Sequence, residues 1–275
     1  MSKLMAVIQL TIRESLAKKT FIAFFAISTI FNLLLVFALN LDIVDGFESS
    51  VTIFGNEADQ LIDIRDIIFR VQEAIASSLY VVGIFLALFA TSSLIPSFLQ
   101  RGSIDLLISK PLSRFQILGG RYLGAVAVAG LNIAYMVIFS WLTLSIKTGF
   151  WDIGFLYSGV IIILTFAILF SLMTFLSVMV QSGPFALIIT YVLAVFLSPP
   201  LLARDNIYAL LSSKYYGYLL DGLYHFLPKS AELGNITRLL AAGDPISSWL
   251  PLWTSLAFGI LMFISATTIF GRKNF

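Results

Sequence analysis

The sequence contains no cysteine and a single histidine, which excludes disulfides, thiolate metal sites and any cluster of imidazole ligands. Charge is scarce too. Charged residues make up 12% of the chain against 59% hydrophobic ones, about half the share usual in a soluble domain. No GxxxxGK[ST] stretch occurs, so the chain has no phosphate-cradling P-loop of its own. No group of serine, histidine and carboxylate has the look of a catalytic site. The expectation is therefore no catalytic residue, no bound metal, no cofactor on this chain and no nucleic-acid partner. His225, alone among Tyr224 and Phe226, reads as an interfacial side chain rather than a ligand.

What the sequence has in abundance is long uncharged runs. They lie between Lys19 and Asp42, Glu73 and Arg101, Arg121 and Lys147, Asp152 and Arg204, and Asp244 and Arg272. One crossing of the hydrocarbon layer takes about 20 apolar residues. The run from Asp152 to Arg204 is more than twice that length, and "QSGP" (Gln181 to Pro184) is the turn signal near its middle. The expectation is an all-α integral membrane protein, a single transmembrane domain over 1–275. Its six transmembrane helices fall at about 21–40, 77–99, 122–146, 155–180, 185–203 and 248–270. The first run has a long charged leader and no small-residue cleavage site, so it reads as a retained span.

Orientation follows from the cations. With six spans both termini share a side, which holds Lys3, Arg13, Lys18, Lys19, Arg101, Lys110, Arg114, Arg121, Arg272 and Lys273 against only Glu14 and Asp105. That asymmetry predicts both termini in the cytoplasm of a multi-pass plasma-membrane protein. Before the first span, Leu4, Ile8, Ile12 and Leu16 recur every four residues with cations around them, the pattern of an N-terminal amphipathic surface helix. The outer segment 41–76 is rich in Asp and Glu and carries a helical stripe of Leu61, Ile64, Ile68, Val71 and Ile75. The outer segment 204–247 is too long for a turn, and its tyrosines suit the aromatic belt at the membrane surface.

None of the six spans contains Asp, Glu, His, Lys or Arg. Ion-coupled carriers place ionisable groups at membrane depth despite an insertion penalty of about 2.5–3.5 kcal/mol each; nothing here can relay a proton. Asn32 and Asn132 are the strongest polar groups within the spans, suited either to line a path or to bond neighbouring helices. Uphill transport would thus need energy from a partner on the cytoplasmic side.

The cytoplasmic loop 100–121 is built to receive one. In "RGSIDLLISKPLSRFQILGGRYLG", Gly102 breaks the backbone from the span and Ser103 caps a short helix whose apolar face is Ile104, Leu107 and Ile108. Pro111 stops that helix, and Ser113 is placed to cap the next one. A short helix held crosswise between two spans can be gripped and moved.

At these residues the sequence resembles the permease subunits of type-2 ABC exporters. The resemblance rests on Gly102-Ser103, Asp105-Leu106-Leu107, Ser109-Lys110-Pro111-Leu112-Ser113-Arg114 and Gly120-Arg121-Tyr122-Leu123-Gly124. Gln100 and Arg101 stand where many members carry an acidic residue. The whole chain fits the pattern, and the large outer segment is similar to permeases of nitrous-oxide-reductase maturation, gliding and drug export. The resemblance implies a type-2 ABC exporter permease fold and two permeases paired as a homodimer. It also implies two separate ATPase subunits that carry ATP and magnesium. The coupling loop would be Arg101, Gly102, Ser103, Asp105, Leu107, Lys110, Pro111 and Arg114. An outer-side accessory protein is a further partner the acidic segment would suit. The alternative is a non-transporting membrane scaffold or receptor that recruits a complex through that outer segment.

Overall fold

The computed structural model describes residues 3–38, 64–99, 112–204 and 214–273. Helix α1 (Lys3–Ala17) leads into α2 (Lys19–Ala38). Three helices follow in one rod: α3 (Ile64–Ser78), a π-helical turn at Leu79–Gly83, α4 (Ile84–Thr91) and α5 (Leu94–Leu99). Then come α6 (Arg114–Thr148), α7 (Gly154–Val180), α8 (Gly183–Val192), a second π-helical turn at Leu193–Leu197 and α9 (Ser198–Leu202). Two shorter helices, α10 (Lys214–Phe226) and α11 (Ser230–Ala242), precede the last, α12 (Leu250–Arg272). Six of these rods are long and apolar enough to cross a membrane: Lys19–Phe37, Ile68–Leu99, Arg114–Thr148, Gly154–Val180, Gly183–Leu202 and Leu250–Arg272, here spans 1 to 6. Among the described residues there is no strand, as a lipid-facing chain requires, because a helix satisfies its own backbone.

The boundaries have local causes. Ser113 and Gln116 form a reciprocal capping box at the start of α6, each side chain bonding the other's backbone N–H at 3.1 Å. Span 3 therefore begins two turns before the uncharged run does, inside the charged loop. It stops at Gly149, in the left-handed region with φ 72°. Asp152 starts α7 by accepting from Gly154 and Phe155 N–H at 3.0 and 3.1 Å. Gln181 ends α7 with φ 56°, and Pro184 in the first turn of α8 reverses the chain into span 5. Span 2 breaks at Ser92-Ser93 because Pro96 cannot donate to the Ser92 carbonyl four residues back.

Span 4 sits at the centre, packed by α6, α8, α11 and α12. Phe155, Phe166 and Phe170 of span 4, with Phe98 of span 2 and Phe270 of span 6, are the largest wholly buried rings. In lipid such packing is held by close van der Waals fit rather than by exclusion of water. Span 1 lies at the edge and presents Ile22, Phe25, Ile30, Leu33, Leu34 and Phe37 outward.

Helix α1 is the expected amphipathic surface helix, seated on α6: Val7, Thr11 and Ser15 form its buried face, flanked by the half-buried Leu4, Ile8 and Ile12 of the expected stripe, while Leu16, Met5 and Leu10 point outward. The reason is a seat of glycines on α6, described next.

Candidate coupling site at the basic end of the bundle

Helix α1 lies along the first turns of α6. A Cβ at Gly120 would fall 2.6 Å from Val7 Cβ, and one at Gly124 would fall 2.6 Å from Thr11 Cβ. Glycines four residues apart thus open one face of α6 so that the two helices meet nearly backbone to backbone. Between them on the sequence, Arg121 is 5% exposed. Its guanidinium donates to the Glu14 carboxylate of α1 and lies 5.4 Å from the Phe98 ring centre at the end of span 2. Glu14 also pairs with Lys18 at 3.6 Å, and Lys18 donates to Ser93 Oγ at 3.2 Å, on the break in span 2. Burial pulls the Lys18 ammonium below its ordinary value; Glu14 opposes that and the nearby Arg121 charge adds to it. One carboxylate therefore joins α1, span 3 and, through Lys18, span 2.

Two further cations close the same end. Arg114 Nη1 donates to the carbonyls of Phe270 at 2.9 Å, Gly271 at 3.2 Å and Lys273 at 2.5 Å. It caps the C-terminus of span 6, where orphan carbonyls and the helix dipole both favour a cation. Lys273 in turn donates to Val178 and Met179 carbonyls at 2.6 and 3.2 Å, capping span 4. The turn after span 4 is wedged as well: Gly183 packs on the Ser92 carbonyl freed by Pro96, so closely that a Cβ would lie 2.6 Å from that oxygen. Phe98 and Phe270 meet edge to face, with ring centres 5.8 Å apart. Spans 2, 3, 4, 5 and 6 are thereby locked to one another where loop 100–111 leaves and returns.

Of the residues expected to couple, Arg114 is in this lattice. Arg101, Gly102, Ser103, Asp105, Leu107, Lys110 and Pro111 lie outside the described residues. Asn32 and Asn132 are elsewhere, within spans 1 and 3. The Asn32 carbonyl oxygen accepts from Ser140 Oγ at 3.0 Å, joining those spans, while the buried Asn132 amide has no hydrogen-bond partner among the described residues. Sequence reasoning used Glu14 and Lys273 for topology alone. The signal for Glu14 was a lone acid on the buried side of α1, and for Lys273 a cation one residue past the last span. It also read Gly120 and Gly124 as part of a signature without reading their spacing as a helix seat.

The opposite end is tied by different chemistry. Trp141 Nε1 donates to the Asp152 carbonyl at 2.6 Å, and Arg238 of α11 pairs with Glu73 of α3 at 2.8 Å. The Gln72 amide, turned as its surroundings dictate, lies 3.2 Å from both Asp152 Oδ2 and the Ala241 carbonyl. Tyr218, Trp249 and Trp253 are exposed there, as a membrane-surface belt requires. His225 contacts the Asp221 carbonyl at 2.8 Å. Among the described residues no three of His, Cys, Asp and Glu gather as a metal site.

No curated protein matches the sequence. A family model described as ABC-2 family transporter protein matches residues 5–275. With six helices long and apolar enough to cross a membrane and a cluster of cations tying their ends at one side, this chain belongs to the ABC-2 transporter family and is a multi-pass membrane permease of that type.

Proposed function

We propose that this permease is the membrane subunit of an ATP-driven exporter, moved by a separate ATPase that docks on residues 101–114 from the cytoplasm. In this reading both termini are cytoplasmic and the membrane is a bacterial inner membrane. ATP and magnesium belong to two copies of the partner, and the chain itself catalyses nothing. The observation that carries it is the lattice at Arg114 and Lys273. A push delivered at loop 100–111 meets Arg114, which grips span 6, whose Lys273 grips span 4. A loop that only fixed topology would need its cations but not this attachment. The charges of the described spans lie towards their ends, and the stretches 77–99, 122–146, 155–180, 185–202 and 250–270 carry no Asp, Glu, His, Lys or Arg, which supports an external energy source.

A second copy of the chain completes the transporter. The apolar outer face of span 1, with an open groove lined by Ile30, Leu33, Leu34, Val36 and Phe37, supports pairing through that edge. Tagged purification from detergent-solubilised membranes of its own source tests the proposal. The expected result is a P-loop protein in near-equal amount, lost when Pro111 or Asp105 is changed. Recovery of this chain with outer-side partners alone would favour the scaffold reading.

A further inference from the structure

Three consecutive residues at the start of α11 between them bond spans 2, 5 and 6. Lys229 N–H donates to Ser255 Oγ of span 6 at 3.0 Å. Ser230 Oγ donates to the Ala194 carbonyl of span 5 at 2.6 Å, and Ala231 N–H donates to Ser198 Oγ at 2.9 Å. The Ser230 carbonyl accepts from the Tyr80 hydroxyl of span 2. Ser198, Lys229, Ser230 and Ser255 are all buried.

Both residues that Ser230 touches lie in π-helical turns, Tyr80 in Leu79–Gly83 and Ala194 in Leu193–Leu197. Such turns are rare and cluster at functional positions. The turn in span 5 has a local cause, because Pro199 and Pro200 supply no N–H to the carbonyls before them; Ser230 satisfies one of those carbonyls. The turn in span 2 has no proline. It sits where α11 presses close, since a Cβ at Gly234 would fall 2.9 Å from the Tyr80 ring. The turn in span 2 is thus held by a contact rather than dictated by its own sequence.

We propose that Lys229–Ala231 is a latch on spans 2, 5 and 6 at the end opposite the coupling lattice. When it releases, the turn at Leu79–Gly83 returns to α-helix and rotates the distal part of span 2 by one residue position, roughly 100°. The latch is the element that opens the far end of the path, so this inference rests on the transport reading. It ties a change of register in one span to the departure of a single helix, and Tyr80 and Ser230 are its positioning residues.

The chain has no cysteine, so single reporters can be read without background. Ala74 is exposed and Ile75 is 5% exposed; loss of the extra residue in the turn moves Ala74 to the half-buried place of Glu73 and Ile75 to the exposed place of Ala74, which lowers the Ala74→Cys to Ile75→Cys labelling ratio. The measurement is maleimide labelling of each reporter in nanodiscs, in the complex purified with its ATPase, with and without trapped nucleotide. Trapping lowers the ratio if the latch opens. Tyr80→Phe with Ser230→Ala removes two hydrogen bonds and lowers it about tenfold without nucleotide. Ser198→Ala, which removes one, gives a smaller fall in the same direction. A ratio unchanged in both variants and on nucleotide trapping overturns the latch. Ser177→Cys at the basic end separates the two readings. If it responds to nucleotide while the ratio does not, transport motion stands and the latch falls. If neither responds, the transport reading falls with it.

Discussion

Replacing both Gly120 and Gly124 by alanine should lift α1 off span 3. The added carbons would sit 2.6 Å from Val7 Cβ and from Thr11 Cβ, where unstrained carbons keep about 3.5–4.0 Å. Relief requires α1 to retreat by about 1 Å, which also draws Glu14 away from Arg121. Overpacking of this kind costs about 1–3 kcal/mol per site, and alanine returns about 1 kcal/mol of helix propensity at each. The net for the pair is a loss of about 2 kcal/mol, or about a thirtyfold rise in the detached population. A sole cysteine at Ser15, which is fully buried in this seat, reads that population through its maleimide labelling rate. Gly271→Ala is the control, since nothing lies within 4 Å of a Cβ there. Labelling that stays as slow in the double variant as in the control would refute the close approach.

The other expectations concern the charges. Arg121→Ala leaves Glu14 only its longer pair with Lys18 and should cost about 2 kcal/mol in thermal unfolding, below the about 3–5 kcal/mol of a wholly buried pair because Glu14 keeps Lys18 and partial exposure; the exchange Glu14→Arg with Arg121→Glu should restore part of it. Arg114→Ala and Lys273→Ala each uncap a helix and should lower the first unfolding transition by several degrees, at about 1.5–3 kcal/mol for charged hydrogen bonds; equal stability in both variants would remove the lattice. Lys18 has its folded value lowered, so the unfolded chain binds more protons between that value and the ordinary 10.5. Stability should therefore rise with pH as that window is approached and crossed, and Lys18→Met should flatten the rise in a series of melts. Asp152→Ala removes the cap of span 4 and a partner of Gln72 and should cost about 1–3 kcal/mol.

The spans were legible because uncharged runs longer than a bilayer leave the chain little choice, and "QSGP" marked the one fold-back that charge could not. Span 3 was legible at its cap, Ser113, since a capping box needs only residues three apart. The seat of α1 was harder. An amphipathic stripe says which face is apolar, but the glycines of another helix decided which face is buried, and chose Val7, Thr11 and Ser15 over Leu16. Arg114 was placed in a loop by its charge and proved to be a cap for span 6, a contact across most of the sequence that no local pattern encodes. The same holds for Lys229–Ala231, where an ordinary helix start meets three spans.

The claim that loop 100–114 receives the ATPase is tested most directly by contact. A photo-reactive maleimide on a sole cysteine at Asp105 or Lys110 should capture a P-loop protein when the assembled complex is illuminated, while the same reagent at Gly222, in open space on α10, should not. An ATPase that co-purifies yet is captured from Gly222 and never from Asp105 or Lys110 would contradict the account.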